Sequence, residues 1–292
     1  MTIPYLGATG IRAARPLHRA WVGFGLPCLL VAVLSGPVPL SAQTLYAIEF
    51  DGDPTILAEI NPLTGADIST LSSSLVGGRG MATDPTTGTM YVSRAYKGSF
   101  DLVTIDPSDG STSTIGTYSG AGGTMPSVRD LTFDNTGQMW GVTGMNGDLA
   151  QSVLPIDKSD ASVGSVLATI SGSSQMTIAY RPADGLLYVY SFGVATATDG
   201  PASYQFETID PSDGTTTPIG LSGSSPGSNV LAMTFDPPNN LFRFFDQSGN
   251  YWTLSPGGVQ TDTGNDNATQ YMGLAFDQTT TIPVELMGFA IE

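Results

Sequence analysis

One short turn motif recurs along the chain, and this repetition constrains the fold more than any single residue does. The sequence Ile-Asp-Pro-Ser-Asp-Gly occupies positions 105–110 and again 209–214, and looser copies begin at Ile60, Ile156 and Leu254. Five copies of one turn indicate five copies of one supersecondary unit, since such units bury their apolar faces against their neighbours.

A second motif, a short apolar strand that ends in a tight turn, alternates with the first. Asp, Pro and Gly or Asn in these turns favour hairpins, because Asp accepts backbone hydrogen bonds, Pro presets φ and Gly or Asn adopts positive φ. An aromatic residue follows each of the first four turns, in what reads as a second strand. The five copies start 41 to 55 residues apart and read Met81–Asp84, Leu131–Asp134, Ile178–Arg181, Met233–Asp236 and Leu274–Asp277.

Four antiparallel strands per repeat, in five repeats, predict an all-β, five-bladed β-propeller. The first repeat, from Leu45, lacks an inner strand, and the last inner strand, 274–277, has no complete blade after it. Pairing these two segments closes the ring and leaves no raw sheet edge between the ends. An open β-solenoid or a β-sandwich is the alternative architecture.

The two ends of the chain differ from the repeats. Residues 1–42 contain basic residues, an uncharged apolar stretch and small residues at 41–42, in the order typical of a secretory signal peptide. An uncleaved anchor is the alternative, although the apolar stretch is short for a membrane span. We therefore expect a signal peptide at 1–42, a propeller domain at 43–281 and a strand-like tail at 282–292.

The composition after residue 42 limits the chemistry. The only histidine, His18, and the only cysteine, Cys28, precede this point, so the domain has no imidazole and no thiol. Seven basic residues oppose 26 acidic ones, giving a net charge of −19. This charge disfavours nucleic acid and anionic membrane surfaces as partners. We expect a monomer that is secreted, extracellular or periplasmic, with no membrane span after signal cleavage.

The repeats over roughly residues 45–277 resemble those of secreted bacterial β-propellers with IDPxTG-type repeats, of the broad YVTN- and NHL-like kind. The resemblance rests on the Ile-Asp-Pro turns at 105–110 and 209–214 and their looser copies. It implies the propeller fold. It implies no activity, because propellers carry binders, lyases, hydrolases and scaffolds alike.

Hairpin geometry predicts where a ligand binds. The Asp-Pro turns share one face of the disc, which we name the turn face, and the uneven loops share the other, which we name the loop face. Arg79 and Arg129 stand two residues before adjacent inner strands, and Arg94, Tyr96 and Lys97 lie on a nearby loop. These five residues are the predicted ligand-binding set, with the cations forming a clamp for an anion or carboxylate. The alternative is that the cations offset carboxylates such as Asp101 and Asp130.

Other chemistry has weaker support in the sequence. The Asp-Pro-Ser-Asp-Gly turns contain oxygen ligands suited to calcium, but turn formation explains the same residues, and we predict no catalytic residue, resident metal or other cofactor. Aromatic residues that would stack on sugars if exposed, rather than pack between blades, are Tyr96, Tyr204, Tyr251 and Trp252.

These observations favour a secreted, non-catalytic recognition or scaffold protein that binds an extracellular protein or carbohydrate on its loop face. The alternative is a metal-dependent hydrolase or lactonase, resembling the gluconolactonase-like propellers, with carboxylates near the channel. A passive surface component is a third hypothesis.

Overall fold

The computed structural model describes residues 43–50, 53–145, 147–170, 175–193, 203–267 and 269–277, and these form five small antiparallel sheets. The sheets are the blades of a five-bladed β-propeller, as the repeats predicted. The expected signal peptide at 1–42 and the tail at 282–292 lie outside the described residues. No helix in the described part of the chain is long and apolar enough to cross a membrane.

The blades are numbered by their position in the chain, and the strands of each run in order from the channel to the rim. Blade 1 contains β21 (Tyr271–Phe276), β1 (Leu45–Glu49), β2 (Ile56–Ile60) and β3 (Asp67–Ser72). Blade 2 contains β4 (Gly78–Thr83), β5 (Met90–Tyr96), β6 (Ser99–Ile105) and β7 (Thr112–Thr117), and the short 3₁₀ helix Ala121–Gly123 follows it. Blade 3 contains β8 (Val128–Phe133), β9 (Met139–Thr143), β10 (Ser152–Ile156) and β11 (Ala168–Thr169). Blade 4 contains β12 (Gln175–Arg181), β13 (Leu186–Gly193), β14 (Ser203–Ile209) and β15 (Thr216–Ile219). Blade 5 contains β17 (Val230–Asp236), β18 (Leu241–Asp246), β19 (Asn250–Leu254) and β20 (Val259–Asp266), with β16 (Ser222–Gly223) added in parallel to β20.

Strands from the two ends of the domain close the ring. The last strand, β21, pairs antiparallel with β1, with Leu45 opposite Phe276 and Ala47 opposite Leu274. The five inner strands contact one another in cyclic order, and β21 also contacts β4 of blade 2. The predicted pairing of the first strand with the last inner strand is therefore confirmed.

The Ile-Asp-Pro turns are also the joints between blades. Gly110 and Gly214 have φ of 72° and 77°, which favour glycine. A Cβ on Gly214 would lie 2.2 Å from the Leu167 carbonyl oxygen of the preceding blade, and one on Gly110 would lie 2.9 Å from that of Ser72. The repeated glycine thus provides both the turn and the close approach of two blades.

Apolar side chains fill the spaces between neighbouring blades. The aromatic residues that follow the first four turns of the second motif, Tyr91, Trp140, Tyr188 and Phe242, are all buried. Tyr188 contacts the rings of Phe206 and Phe242, with centroid distances of 5.5 and 4.7 Å. These rings pack blade 4 against blade 5.

Candidate binding face and central channel

A buried carboxylate lies at the centre of the channel. Asp130, on β8, is fully buried. Its Oδ1 accepts a hydrogen bond from the Leu131 amide at 2.9 Å, and its Oδ2 accepts one from the Ile178 amide at 3.1 Å. The amides of Met81 and Met233 also donate to it. One side chain therefore links the inner strands of four blades.

The surrounding residues make room for this carboxylate. A Cβ on Gly80 would lie 2.2 Å from the Asp130 Cα, so a side chain at position 80 would displace it. Burial raises the pKa of the Asp130 carboxyl well above its usual range, and the four amide donors oppose that effect. The sequence indicated Asp130 only as a carboxylate that cations offset, whereas in the structure backbone amides donate to it from four inner strands.

β-Bulges precede this centre on the loop-face side. Register shifts lie between Gly78 and Met81 on β4 and between Val128 and Asp130 on β8, and others affect β17 and the β21–β1 pair. Bulges re-aim side chains and are frequent beside functional sites. The shifted segments of β4 and β8 contain Arg79 and Arg129, so the same irregularity places both arginines on the loop-face side of Asp130.

The two arginines pack against different loops. The Arg79 guanidinium lies 5.7 Å from the centroid of the Phe50 ring on blade 1. Arg129 lies along the Gly144 backbone, where a Cβ would come within 2.6 Å of its Nε. Both arginine side chains are partly buried. The backbones of the two segments lie close together near the axis, because a Cβ on Gly80 would also lie 2.7 Å from the Arg129 carbonyl oxygen. The backbones at these two positions are therefore adjacent, while the two side chains contact different loops.

The other three predicted residues lie on the hairpin that joins β5 to β6. Arg94 forms a salt bridge with Asp101, which also accepts hydrogen bonds from Ser99 and Thr117. The alternative interpretation, in which cations offset local carboxylates, thus describes Arg94. Lys97 has φ of 50° at the hairpin tip, and its Nζ lies 4.8 Å from the centroid of the Tyr96 ring.

Exposed aromatic residues are fewer than the sequence suggested. Tyr96 is 37% exposed, but Tyr251 and Trp252 are buried and Tyr204 is half-buried. The Tyr251 ring packs on Phe245, and the Trp252 Nε1 donates to Asp246. Of these four residues, only Tyr96 presents a ring at the surface.

Two methionines on the loop face were missed by sequence reasoning. Met125 and Met145 are 44% and 45% exposed, on the loops that precede β8 and follow β9. Asp148 joins these loops, since its Oδ2 accepts a hydrogen bond from the Met125 amide at 2.9 Å. Met145 follows Gly144, which Arg129 contacts. The sequence did contain a signal for them, because two methionines in polar, glycine-rich loops lie outside any apolar periodicity.

The carboxylates of the Asp-Pro turns act as turn caps. In the Asp-Pro turns at Asp106 and Asp210, and in the related Asp-Lys turn at Asp157, Oδ1 accepts hydrogen bonds from the amide and hydroxyl of the serine two residues later. These hydrogen bonds lower the pKa of all three carboxyls. Within the described ranges, no group of three His, Cys, Asp or Glu residues is arranged to hold a metal ion. Calcium binding remains a hypothesis.

Comparisons with known proteins define the fold and no family. No family model matches the chain, and no curated protein matches it. Among solved structures, a protein of unknown function from Bacteroides caccae has a TM-score of 0.51 at 10% identity, over 80% of this chain and 98% of that one. A chain of a nidogen/laminin complex has a TM-score of 0.47 at 10% identity, over 80% and 98% of the two chains. A Kuenenia stuttgartiensis hydrazine synthase chain has a TM-score of 0.43 at 14% identity, over 74% and 64%. At such low identity the likeness concerns the fold alone.

Proposed function

We propose that this chain is a secreted, non-catalytic recognition propeller that binds an extracellular partner through its loop face. The binding surface is formed by Tyr96, Lys97, Met125, Arg129 and Met145, which we name the blade 2–3 surface. Arg79 adds a second guanidinium at the channel mouth. Secretion rests on the predicted signal peptide at 1–42, which N-terminal sequencing of exported protein tests.

The observation that supports this surface most strongly is the exposure of Met125 and Met145 on loops held together by Asp148. Methionine, tyrosine and arginine, which provide four of the five residues of this surface, are enriched at protein interfaces. The side chains are adaptable, while the backbone beneath them is fixed by hydrogen bonds. A protein partner therefore fits better than a glycan.

The charge of the domain indicates the chemistry of that partner. Against a net charge of −19, the blade 2–3 surface holds two of the seven basic residues, and Arg79 and Arg94 lie near it. Guanidinium groups bind carboxylates with bidentate geometry. The expected partner segment combines an apolar side chain, for the methionines, with one or more carboxylates.

A displayed random peptide library, panned on the folded domain, tests this proposal. We expect enriched peptides to pair acidic with apolar residues, and Arg79→Ala plus Arg129→Ala to weaken binding at least tenfold, about 1.4 kcal/mol. Arg181→Ala is the matched control, because Arg181 lies on the turn face in a salt bridge with Asp184. Peptides that bind the double variant and the wild type equally would contradict the proposal. Titration with polygalacturonate tests the glycan alternative.

The metal-dependent hydrolase or lactonase remains the competing hypothesis. Metal content of the purified protein, together with turnover of lactones and esters, separates the two. Stoichiometric metal with chelator-sensitive turnover would favour the enzyme over the recognition protein.

A further inference from the structure

A cavity of about 60 Å³ opens into the channel from the turn face, on the opposite side of Asp130 from Arg79 and Arg129. The inner strands line it with the hydroxyl-bearing residues Thr83, Thr132 and Thr234. Prolines of the Asp-Pro and related turns form its rim. Because a water needs about 10–15 Å³ of such cavity volume, the cavity has room for one ion together with a few waters.

The cavity lies next to Thr83, at a position where blade 2 has a different kind of residue from the other four blades. Each inner-strand motif ends in an Asp or Arg. The residue just before that Asp or Arg is aromatic in four blades: Phe133, Tyr180, Phe235 and Phe276. Blade 2 has Thr83 there. Thr83 is only 6% exposed, and its Oγ1 has no hydrogen-bond partner within the described residues. A buried hydroxyl without a partner is costly, which points to a bound species that the protein atoms do not provide.

Backbone carbonyls add further oxygen atoms. The amides of Met81, Leu131, Ile178 and Met233 donate to Asp130, so they point toward the channel axis. In an antiparallel strand, the N–H and C=O of one residue point to the same side. The carbonyls of these residues therefore also face the axis, and Met81, Leu131 and Met233 line the cavity.

The charges around the opening favour a cation. Four of the five inner-strand motifs end in aspartate, at Asp84, Asp134, Asp236 and Asp277. Lys158 pairs with Asp84, Arg243 with Asp236, and Arg181, which ends the remaining motif, with Asp184. These three cations reduce the negative charge but do not reverse it. An anion would also face the Asp130 carboxylate beneath the cavity floor.

We propose that this axial cavity binds one monovalent alkali cation, Na⁺ or K⁺, through hydroxyl and carbonyl oxygens. Rings of carbonyl oxygens replace the hydration shell of such ions. Calcium sites draw on carboxylates as well, and the lining of this cavity contains none. The site is distinct from the blade 2–3 surface and lies on the opposite face, so either proposal can fail without the other.

Thermal unfolding in NaCl, KCl and choline chloride at equal ionic strength tests the site. We expect a higher, saturable melting temperature in at least one alkali chloride than in choline chloride, because a ligand that binds only the folded state stabilises it by mass action. Thr83→Val, which keeps the shape and removes the hydroxyl, should reduce that difference at least by half. Thr208→Val is the control, since Thr208 is nearly as buried but lies on β14, away from the channel.

A second variant covers the case in which Thr83→Val does not fold. Thr83→Phe introduces the ring that the other four blades have at this position, and it should also remove the cation-dependent difference. Equal melting temperatures of the wild type in all three salts would overturn the proposal and leave water as the occupant. A rise confined to added CaCl₂, or a full cation effect in Thr83→Val, would overturn it as well.

Discussion

At the scale of single residues, Asp130 is the side chain on which the centre of the fold depends most. Asp130→Asn keeps the size but turns an NH₂ group toward backbone donors, so at least one buried amide loses its acceptor. Each such loss costs about 1–3 kcal/mol, and we expect the free energy of unfolding to fall by about 1–3 kcal/mol for each amide that loses its acceptor. Urea unfolding measures the change.

The matched control at this scale is Asp109→Asn, in an exposed turn where the aspartate Oδ1 accepts a hydrogen bond from the Ser111 amide. Its loss should stay below about 1 kcal/mol, because asparagine also accepts such turn hydrogen bonds. If Asp130→Asn and Asp109→Asn lower the free energy of unfolding by similar amounts, Asp130 does not hold the inner strands together.

At the scale of structural elements, the repeated turn serves as a joint, and glycine substitutions separate its two roles. Gly214→Ala combines positive φ with a Cβ placed 2.2 Å from the Leu167 carbonyl oxygen of the neighbouring blade. Gly88→Ala has nearly the same φ, 74°, but open space around the new Cβ. Both variants incur the left-handed backbone cost of about 1–2 kcal/mol, and only Gly214→Ala adds a clash.

We therefore expect Gly214→Ala to lower the free energy of unfolding by at least about 1 kcal/mol more than Gly88→Ala does, measured by urea unfolding of both. Blade 3 has Ala161 at the equivalent position, buried and with φ of 66°, so that joint already accommodates a methyl group. If the two glycine variants lose equal stability, the backbone geometry of the turn, and not contact between blades, explains the repeated glycine.

At the scale of the whole molecule, the parts that recur could be predicted and the parts that occur once could not. Blade number, hairpin turns and ring closure all follow from periodic patterns, because every repeat meets the same packing problem. Asp130 stands where the other blades have Gly80, Thr177, Ala232 and Gly273, and a lone aspartate among small residues was its only signal. The bulges that place Arg79 and Arg129 leave no pattern in the sequence, since they depend on pairing with the next strand.

The charge of the whole domain predicts a maximum of stability in mild acid. Burial raises the pKa of Asp130 and Glu207. The contribution of these two groups to the free energy of unfolding is therefore fully present below their unfolded pKa, and it is lost as the pH rises through the folded pKa. Protonation also relieves repulsion within a domain of net charge −19. The pKa values of Asp106, Asp157 and Asp210 are lowered, so their contribution is present above about pH 4 and is lost as pH falls through the folded values.

The melting temperature should therefore rise from pH 7 to about pH 5 and fall below about pH 4, where carboxylates that cap turns become protonated. Replacing Asp106, Asp157 and Asp210 by asparagine keeps an acceptor in each turn and removes its titration. Scans from about pH 2 to 7 should then show a shallower acid fall in the triple variant than in the wild type. An equally steep fall in both would assign acid unfolding to groups outside the turns, and a wild type that is most stable at neutral pH would contradict the raised pKa values of the buried carboxyls.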